Sequence, residues 1–136
     1  MSATLSDLHT QLLNIALLAQ KNAHAPYSHF QVGAALVDDT AQVYNGCNVE
    51  NAAYPLGQCA EATAIGNMIV NGGKKIREIL IASPNDDFCP PCGGCRQKIA
   101  EFADKHTLVH LATQQGKIKT VTFSELLPLS FGFKPE

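Results

Sequence analysis

The chain has 136 residues, a length that suits one domain built around one core. Apolar residues make up 46% and charged residues 16%, at a net charge of −2, which is the composition of a compact globular protein. The ten Lys and Arg are scattered, so the basic cluster that a nucleic-acid backbone requires is missing, and a small or neutral ligand is expected.

The apolar stretch LHTQLLNIALLAQ (8–20) is too short to span a bilayer. No Lys or Arg precedes Lys21, which argues against a secretory leader. Five cysteines is an odd number, too few for a disulfide scaffold. A cytoplasmic, reducing setting is therefore expected, where clustered thiols more often bind metal or do chemistry than form staples. No repeat, linker or low-complexity tract divides the chain, so residues 1–136 are read as a single catalytic domain.

Residues 4–22 place Leu5, Leu8, Leu12, Ile15, Ala16 and Ala19 on one helical face. Pro26 then disfavours helical geometry at Ala25. FQVGAALV (30–37) reads as a buried strand, with Gly33 leaving room for close backbone approach. After the turn at 38–40, QVYNGCNV (42–49) reads as a second, antiparallel strand. NAAYPLGQ (51–58) is a loop. CAEATAIGNMIV (59–70) is a helix stopped at Gly72 and Gly73.

REILIAS (77–83) is a buried strand, followed by a loop through PNDDFCPP. CGGCRQKIAEFADK (92–105) becomes helical, with Cys95, Ile99 and Phe102 on one face. TLVHLAT (107–113) and KTVTF (119–123) are strands, and SELLP (124–128) is a short helix ended by Pro128. The order αββαβαββα predicts a three-layer α/β/α sandwich with a mixed five-stranded sheet. Sites in such sheets form where loops after strands meet helix starts. Two loops of this kind carry the cysteines, glycines and prolines.

CPPCGGCRQ (89–97) holds two overlapping C-x-x-C pairs. Each proline confines the residue before it to extended geometry, which leaves Cys89 and Pro90 outside the helix and Pro91 near its start. Cys92 and Cys95 then fall in the first turn, on one side, close enough to share a metal. Gly93 and Gly94 leave room for backbone N–H groups to approach sulfur. A third thiol at Cys59 would give three protein ligands and one open position, the catalytic pattern for zinc. Cys47 or Cys89 as a fourth ligand would close the site into a structural one; both are read as bystanders.

Glu61 lies two residues after Cys59, where both side chains can reach the mouth of the helix. A carboxylate beside a metal site suits general acid/base work. On its own Glu61 would be read as a carboxylate favouring the helix dipole. C-A-E at 59–61 followed by P-C-x-x-C at 91–95 matches the zinc-deaminase signature in its three-cysteine form.

Across nearly its whole length the sequence resembles the homotetrameric cytidine deaminases, the short form with three zinc cysteines. The resemblance rests on APYSHFQVGAAL, GCNVENAAY, CAEATA and PCGGCRQ in the family's order and spacing, and on ELLPLSF near the C-terminus. It implies one Zn²⁺ per subunit, held by Cys59, Cys92 and Cys95, and Glu61 as the proton shuttle. It implies that Asn48 and Glu50 bind the ribose hydroxyls, that Phe30 stacks on the pyrimidine, and that the backbone of Ala60 meets the polar edge of the base. Ala52 and Tyr54 would line the pocket or a subunit contact. Phe131 matches an aromatic that closes the site of a neighbouring subunit in a homotetramer.

The implied reaction is hydrolytic deamination of cytidine and 2′-deoxycytidine in pyrimidine salvage, with neither nucleic acid nor membrane as partner. One departure stands out: the family often has Arg after the C-A-E glutamate, and here the residue is Ala62. Three thiolates and Zn²⁺ sum to −1, so Arg96 and backbone N–H groups are expected to offset the charge around the ligands. A polynucleotide deaminase would want a basic groove that this chain lacks. Deamination of an unusual nucleoside and a non-catalytic zinc module remain open alternatives.

Overall fold

The computed structural model describes residues 5–133. Four helices run Leu5–Lys21 (α1), Ala60–Val70 (α2), Gly93–Ala100 (α3) and Phe123–Leu126 (α4). Five strands run Gly33–Asp38 (β1), Val43–Cys47 (β2), Ile76–Ala82 (β3), Leu108–Ala112 (β4) and Ile118–Thr122 (β5). They form one mixed sheet in the order β2-β1-β3-β4-β5. Among these five strands, β3 and β4 pair in parallel and the other neighbours antiparallel. A parallel pair needs a crossover, and α3 lies in it.

The strand residues divide by parity into two cores. Ala34 and Leu36 of β1, Ile79 and Ile81 of β3, and Val109 and Leu111 of β4 face Ala60, Ala64, Ile65 and Met68 of α2 and Ile99 of α3. Their neighbours Ala35, Val37, Leu80, Ala82 and Ala112 face Leu12 and Ala16 of α1. This is the three-layer sandwich that the sequence predicts. It also explains why β1 reads as a continuous apolar run: all six of its residues are buried, because both sheet faces are covered. Gly33 lets α1 approach closely, since a Cβ there would lie 2.8 Å from the backbone nitrogen of Gln20.

The structure differs from the sequence reading at several boundaries. Thr4, the expected start of the first helix, and the side chain of Leu5 lie outside the described residues. Pro91 does not start α3; it precedes the N-cap, which is Cys92. The helix stops at Ala100 instead of reaching Lys105. There the chain turns back: the carbonyl of Phe102 accepts the N–H of Ile76 at 2.9 Å, and Thr107 N–H closes a turn on the Asp104 carbonyl at 3.2 Å. The loop at 51–58 contains a 3-10 turn, Tyr54–Leu56, helped by Pro55 near its start.

The loop at 23–32 is sewn to the segment after β2. His24 N–H donates to the Asn48 carbonyl at 3.0 Å, and Glu50 N–H donates to the His24 carbonyl at 2.8 Å. These bonds set Phe30 and Asn48 at the C-terminal end of β2, beside the start of α2.

Candidate active site

Two helix N-termini meet at one end of the sheet. Cys59 is the N-cap of α2 and Cys92 the N-cap of α3, both in extended geometry. Their carbonyls accept the first intrahelical bonds, from Thr63 N–H at 3.1 Å and Arg96 N–H at 2.9 Å. Neither thiol caps its helix by a side-chain hydrogen bond, which leaves both sulfurs free to turn inward. Cys95 lies in the first turn of α3 and is buried.

The three sulfurs lie within 4.8 Å of one another. Tetrahedral zinc–thiolate geometry with bonds near 2.3 Å places sulfurs about 3.8 Å apart, so the trio fits a zinc ion with small side-chain adjustments. The thiols also interact directly. Hydrogen bonding from the Cys95 thiol, then from Cys92, brings the Cys59 thiol down to about 6, with further help from the charge of Lys98. Cys95, donating to Cys59, is correspondingly pushed up. A group of thiols sharing protons in this way is a soft donor set ready to exchange them for a cation.

Glu61 sits in the first turn of α2 and is buried. Burial pushes its carboxyl up, and the nearby Cys59 sulfur adds to this. A buried carboxyl beside a metal site is placed for general acid/base work.

The cavity in front of the cysteines has a volume of about 240 Å³. Phe30, Asn48, Ala60, Glu61, Cys59 and Cys92 all contribute to its wall. Ala60 is fully buried beneath it. Asn48 holds the opposite wall: its Nδ2 donates to the Phe30 carbonyl at 2.8 Å, and its Oδ1 accepts Val32 N–H at 2.9 Å. His29, just before Phe30, has a φ of 59°, the left-handed region, which turns the chain into this position.

The sequence singles out this constellation, and the comparisons with known proteins point to one family. Residues 6–111 match the family described as the cytidine and deoxycytidylate deaminase zinc-binding region. The chain belongs to this deaminase family. A cytidine deaminase of Halalkalibacterium halodurans is 42% identical over 120 residues, covering 88% of this chain and 91% of that protein. The crystal structure of cytidine deaminase from Burkholderia pseudomallei superposes with a TM-score of 0.86 at 38% identity, covering 90% of this chain and 98% of the other. That of cytidine deaminase from Mycobacterium tuberculosis superposes with a TM-score of 0.80 at 32% identity, covering 91% and 97%. Zinc is accordingly the metal of this deaminase domain.

Two further residues singled out by the sequence are not on the wall of this cavity. Glu50 lines a neighbouring hollow with Tyr27, Ser28 and Tyr54. Its carboxylate accepts Tyr27 N–H at 3.0 Å, Ser28 N–H at 3.1 Å and the Ser28 hydroxyl. The Ser28 hydroxyl, first among these partners, holds the Glu50 carboxyl below its ordinary range. Phe131 is exposed and packs edge-on against Phe133 at 5.2 Å, while its carbonyl accepts Gln97 Nε2 at 3.0 Å. Cys47 and Cys89 are not in the cysteine trio, although Cys89 borders the cavity.

Arg96 donates from Nε to the Pro91 carbonyl and from Nη1 to the Leu126 carbonyl, both at 2.9 Å. Among the described residues its hydrogen bonds therefore go to backbone oxygens. Lys98, which the sequence reading does not single out, also acts on Cys59 and Glu61 through its charge. Ser83 was also missed. Its hydroxyl is buried on the cavity wall with no hydrogen-bond partner among the described residues, and REILIAS read as plain strand gave no sign of it.

Proposed function

We propose that this chain is a zinc-dependent cytidine deaminase that converts cytidine and 2′-deoxycytidine to uridine and 2′-deoxyuridine with release of ammonia. The observation that carries the reading is the convergence of Cys59, Cys92 and Cys95 within 4.8 Å at two helix N-termini, with buried Glu61 beside them. The three thiolates hold the metal. Two helix N-termini, each worth roughly half a positive charge, and Lys98 offset their negative charge. Zinc, when bound, supplies a Lewis acid able to lower the pKa of a water from 15.7 towards about 7.

Glu61 does the proton work. It takes a proton from the attacking water and delivers it to ring N3 of the cytosine. It then passes the second proton to the exocyclic nitrogen, which leaves as ammonia while the C4–N bond breaks and the C4 carbonyl forms. Phe30 offers its face to the ring, and the backbone of Ala60 meets the polar edge of the base. The buried hydroxyl of Ser83 provides a further polar group for the base. Asn48 and Glu50 take the ribose hydroxyls, Glu50 through a modest rearrangement of its present bonds to Ser28.

A homotetramer completes the reading. Two exposed aromatic pairs support it, Tyr27 with Tyr54 and Phe131 with Phe133, since exposed apolar groups favour a covering surface. Phe131 then closes a neighbour's pocket. A single domain acting in cytoplasmic pyrimidine salvage fits the small cavity and the lack, among the described residues, of a helix long and apolar enough to cross a membrane.

The decisive experiment combines zinc content with ultraviolet loss of substrate absorbance, using cytidine, deoxycytidine, deoxycytidylate and single-stranded DNA. Turnover of the two nucleosides with one zinc per cysteine trio is expected. Glu61→Gln should keep its zinc and lose about 10²- to 10⁴-fold in kcat. Zinc present without turnover of any cytosine nucleoside would overturn the enzyme reading.

A further inference from the structure

The sheet has a second cluster of metal-ligating groups, on the face away from the cysteines. His9 comes from α1, Glu78 from β3 and His110 from β4, and their donor atoms lie within 4.8 Å of one another. Glu78 and His110 share the parity of Leu80 and Ala112, which pack on α1, whereas the cysteine trio and Glu61 belong to the α2 and α3 layer. The five-stranded sheet therefore separates the two clusters.

Glu78 and His110 are buried, and His110 is wholly so. The Nε2 of His110 lies 2.7 Å from Oε1 of Glu78, and the Nε2 of His9 lies 3.6 Å from the same oxygen. The rings of His9 and His110 stand 4.1 Å apart, tilted by 52°. The second observation is an orphan: His9 Nε2 is buried and has no hydrogen-bond partner among the described residues. A buried ring nitrogen left unpaired costs free energy, unless it is partnered by something other than the chain.

We infer that His9, Glu78 and His110 form a second divalent-metal site, taking zinc or a similar first-row cation, that staples α1 to strands β3 and β4. Two imidazoles and one carboxylate are a recognised zinc ligand set, with further positions left for water. His110 is already oriented for the task. Its other ring nitrogen, Nδ1, is 2.7 Å from the Thr120 hydroxyl on β5. Without metal, Nε2–H donates to Glu78 and Nδ1 accepts from Thr120. With metal, the proton sits on Nδ1 and donates to the Thr120 oxygen, which frees the Nε2 lone pair. The change is a tautomer shift with no net proton released, and Thr120 is the outer partner that fixes the ligating tautomer.

The side chain of His9 is 24% accessible, while its Nε2 faces inward and is buried. Two ligands are thus held deep in the sheet and the third comes from the helix that covers it.

The test uses the zinc-loaded protein. Titration with Co²⁺ should reveal a second metal equivalent whose visible d–d bands lack the near-ultraviolet thiolate-to-cobalt charge-transfer band. Binding at the second site should raise Tm. Glu78→Gln and His9→Gln should each lose the second equivalent while retaining the first, with deaminase turnover unchanged. Thr120→Val, at an exposed position, should weaken the second metal by about ten- to a hundredfold, and it carries the test if Glu78→Gln folds poorly. Saturation of the parent protein at a single metal would overturn the proposal. A second equivalent that survives both His9→Gln and Glu78→Gln would overturn it too, since exposed histidines such as His24 and His106 would then be the binders. The thiolate charge-transfer band reads the cysteine site separately, so failure of one site is not mistaken for failure of the other.

Discussion

Asn48 holds Phe30 in place by two hydrogen bonds made by one amide: Nδ2 to the Phe30 carbonyl at 2.8 Å, and Oδ1 from the N–H of Val32, two residues on. The amide spans the backbone on both sides of Gln31 and so sets the wall facing the cysteines. Asn48→Ala leaves a carbonyl and an N–H without these partners, at a cost of about 1–3 kcal/mol. A fall in Tm and a rise in KM are expected. Asn48→Asp keeps the acceptor but loses the donor, so it should recover part of the stability and little of the KM. Equal KM in all three proteins would remove Asn48 from substrate positioning.

Arg96 connects the loop before α3 to the C-terminal segment through the carbonyls of Pro91 and Leu126. Its replacement by Ala should loosen Pro91, next to the Cys92 ligand position, and release the chain after α4. Lower Tm and a raised KM are expected, with zinc content largely kept. Arg96→Lys should not rescue, because one ammonium cannot span two carbonyls as the planar guanidinium does. Lys98→Ala is the contrasting variant. Lys98 acts on Cys59 and Glu61 through its charge, so zinc affinity and the pH profile should move there while Tm stays nearly constant. The reverse pattern, zinc lost in Arg96→Ala and retained in Lys98→Ala, would restore Arg96 as the offset for thiolate charge.

Cys92 and Cys95 were legible as a pair because they lie three residues apart at the start of one helix, just after Pro91, and Cys59 was tied to them by the C-A-E and P-C-x-x-C signature. The strand pattern was legible because apolar runs bounded by turns report burial on both faces. α3 was read too long because Phe102 continues the helical spacing, while the carbonyl of Phe102 is in fact taken by the start of β3. No spacing rule exposes a bond of that range. Ser83 and the trio of His9, Glu78 and His110 were hidden for the same reason. Their members come from separate elements, and only the pairing of β3 with β4 and the packing of α1 bring them together. Glu50 lies in the hollow beside the cysteine cavity, because its carboxylate is held by Ser28 and Tyr27.

Asp38 closes the turn between β1 and β2. Its Oδ1 accepts Thr40 N–H at 2.9 Å, the Thr40 hydroxyl at 2.8 Å and Gln42 N–H at 2.9 Å, and its Oδ2 accepts the Tyr44 hydroxyl at 3.2 Å. Burial pushes this carboxyl up, but those bonds outweigh it and hold it below its ordinary 3.8. Because the folded value lies below the unfolded one, the stability from Asp38 is fully present above 3.8 and is lost as pH falls through the folded value. Asp38→Asn should be less stable at neutral pH by about 1–3 kcal/mol. Urea melts from about pH 6 down to about pH 3 should show this gap closing with acid. A gap that stays constant would place the acid sensitivity elsewhere.

Gly46 is where β2 meets the first turn of α2, the turn that carries Cys59 and Glu61. A Cβ at Gly46 would lie 2.7 Å from the Ala60 carbonyl oxygen and 2.8 Å from Thr63 Cβ, and would press on the backbone nitrogen of Ala64. Two of these neighbours are backbone in a helix, so they cannot move aside as a side chain could. Gly46→Ala must push α2 away from the sheet, at a cost of about 1–3 kcal/mol or more. The displacement acts on the N-terminus that holds the metal ligand, so kcat and zinc affinity should fall together with Tm. Gly66→Ala is the control: it lies on the same helix, has nothing within 4 Å of its Cβ position, and should be neutral or slightly stabilising. A Gly46→Ala protein that lost stability but kept full zinc affinity and turnover would show that the site tolerates movement of α2, and that the close approach serves packing alone.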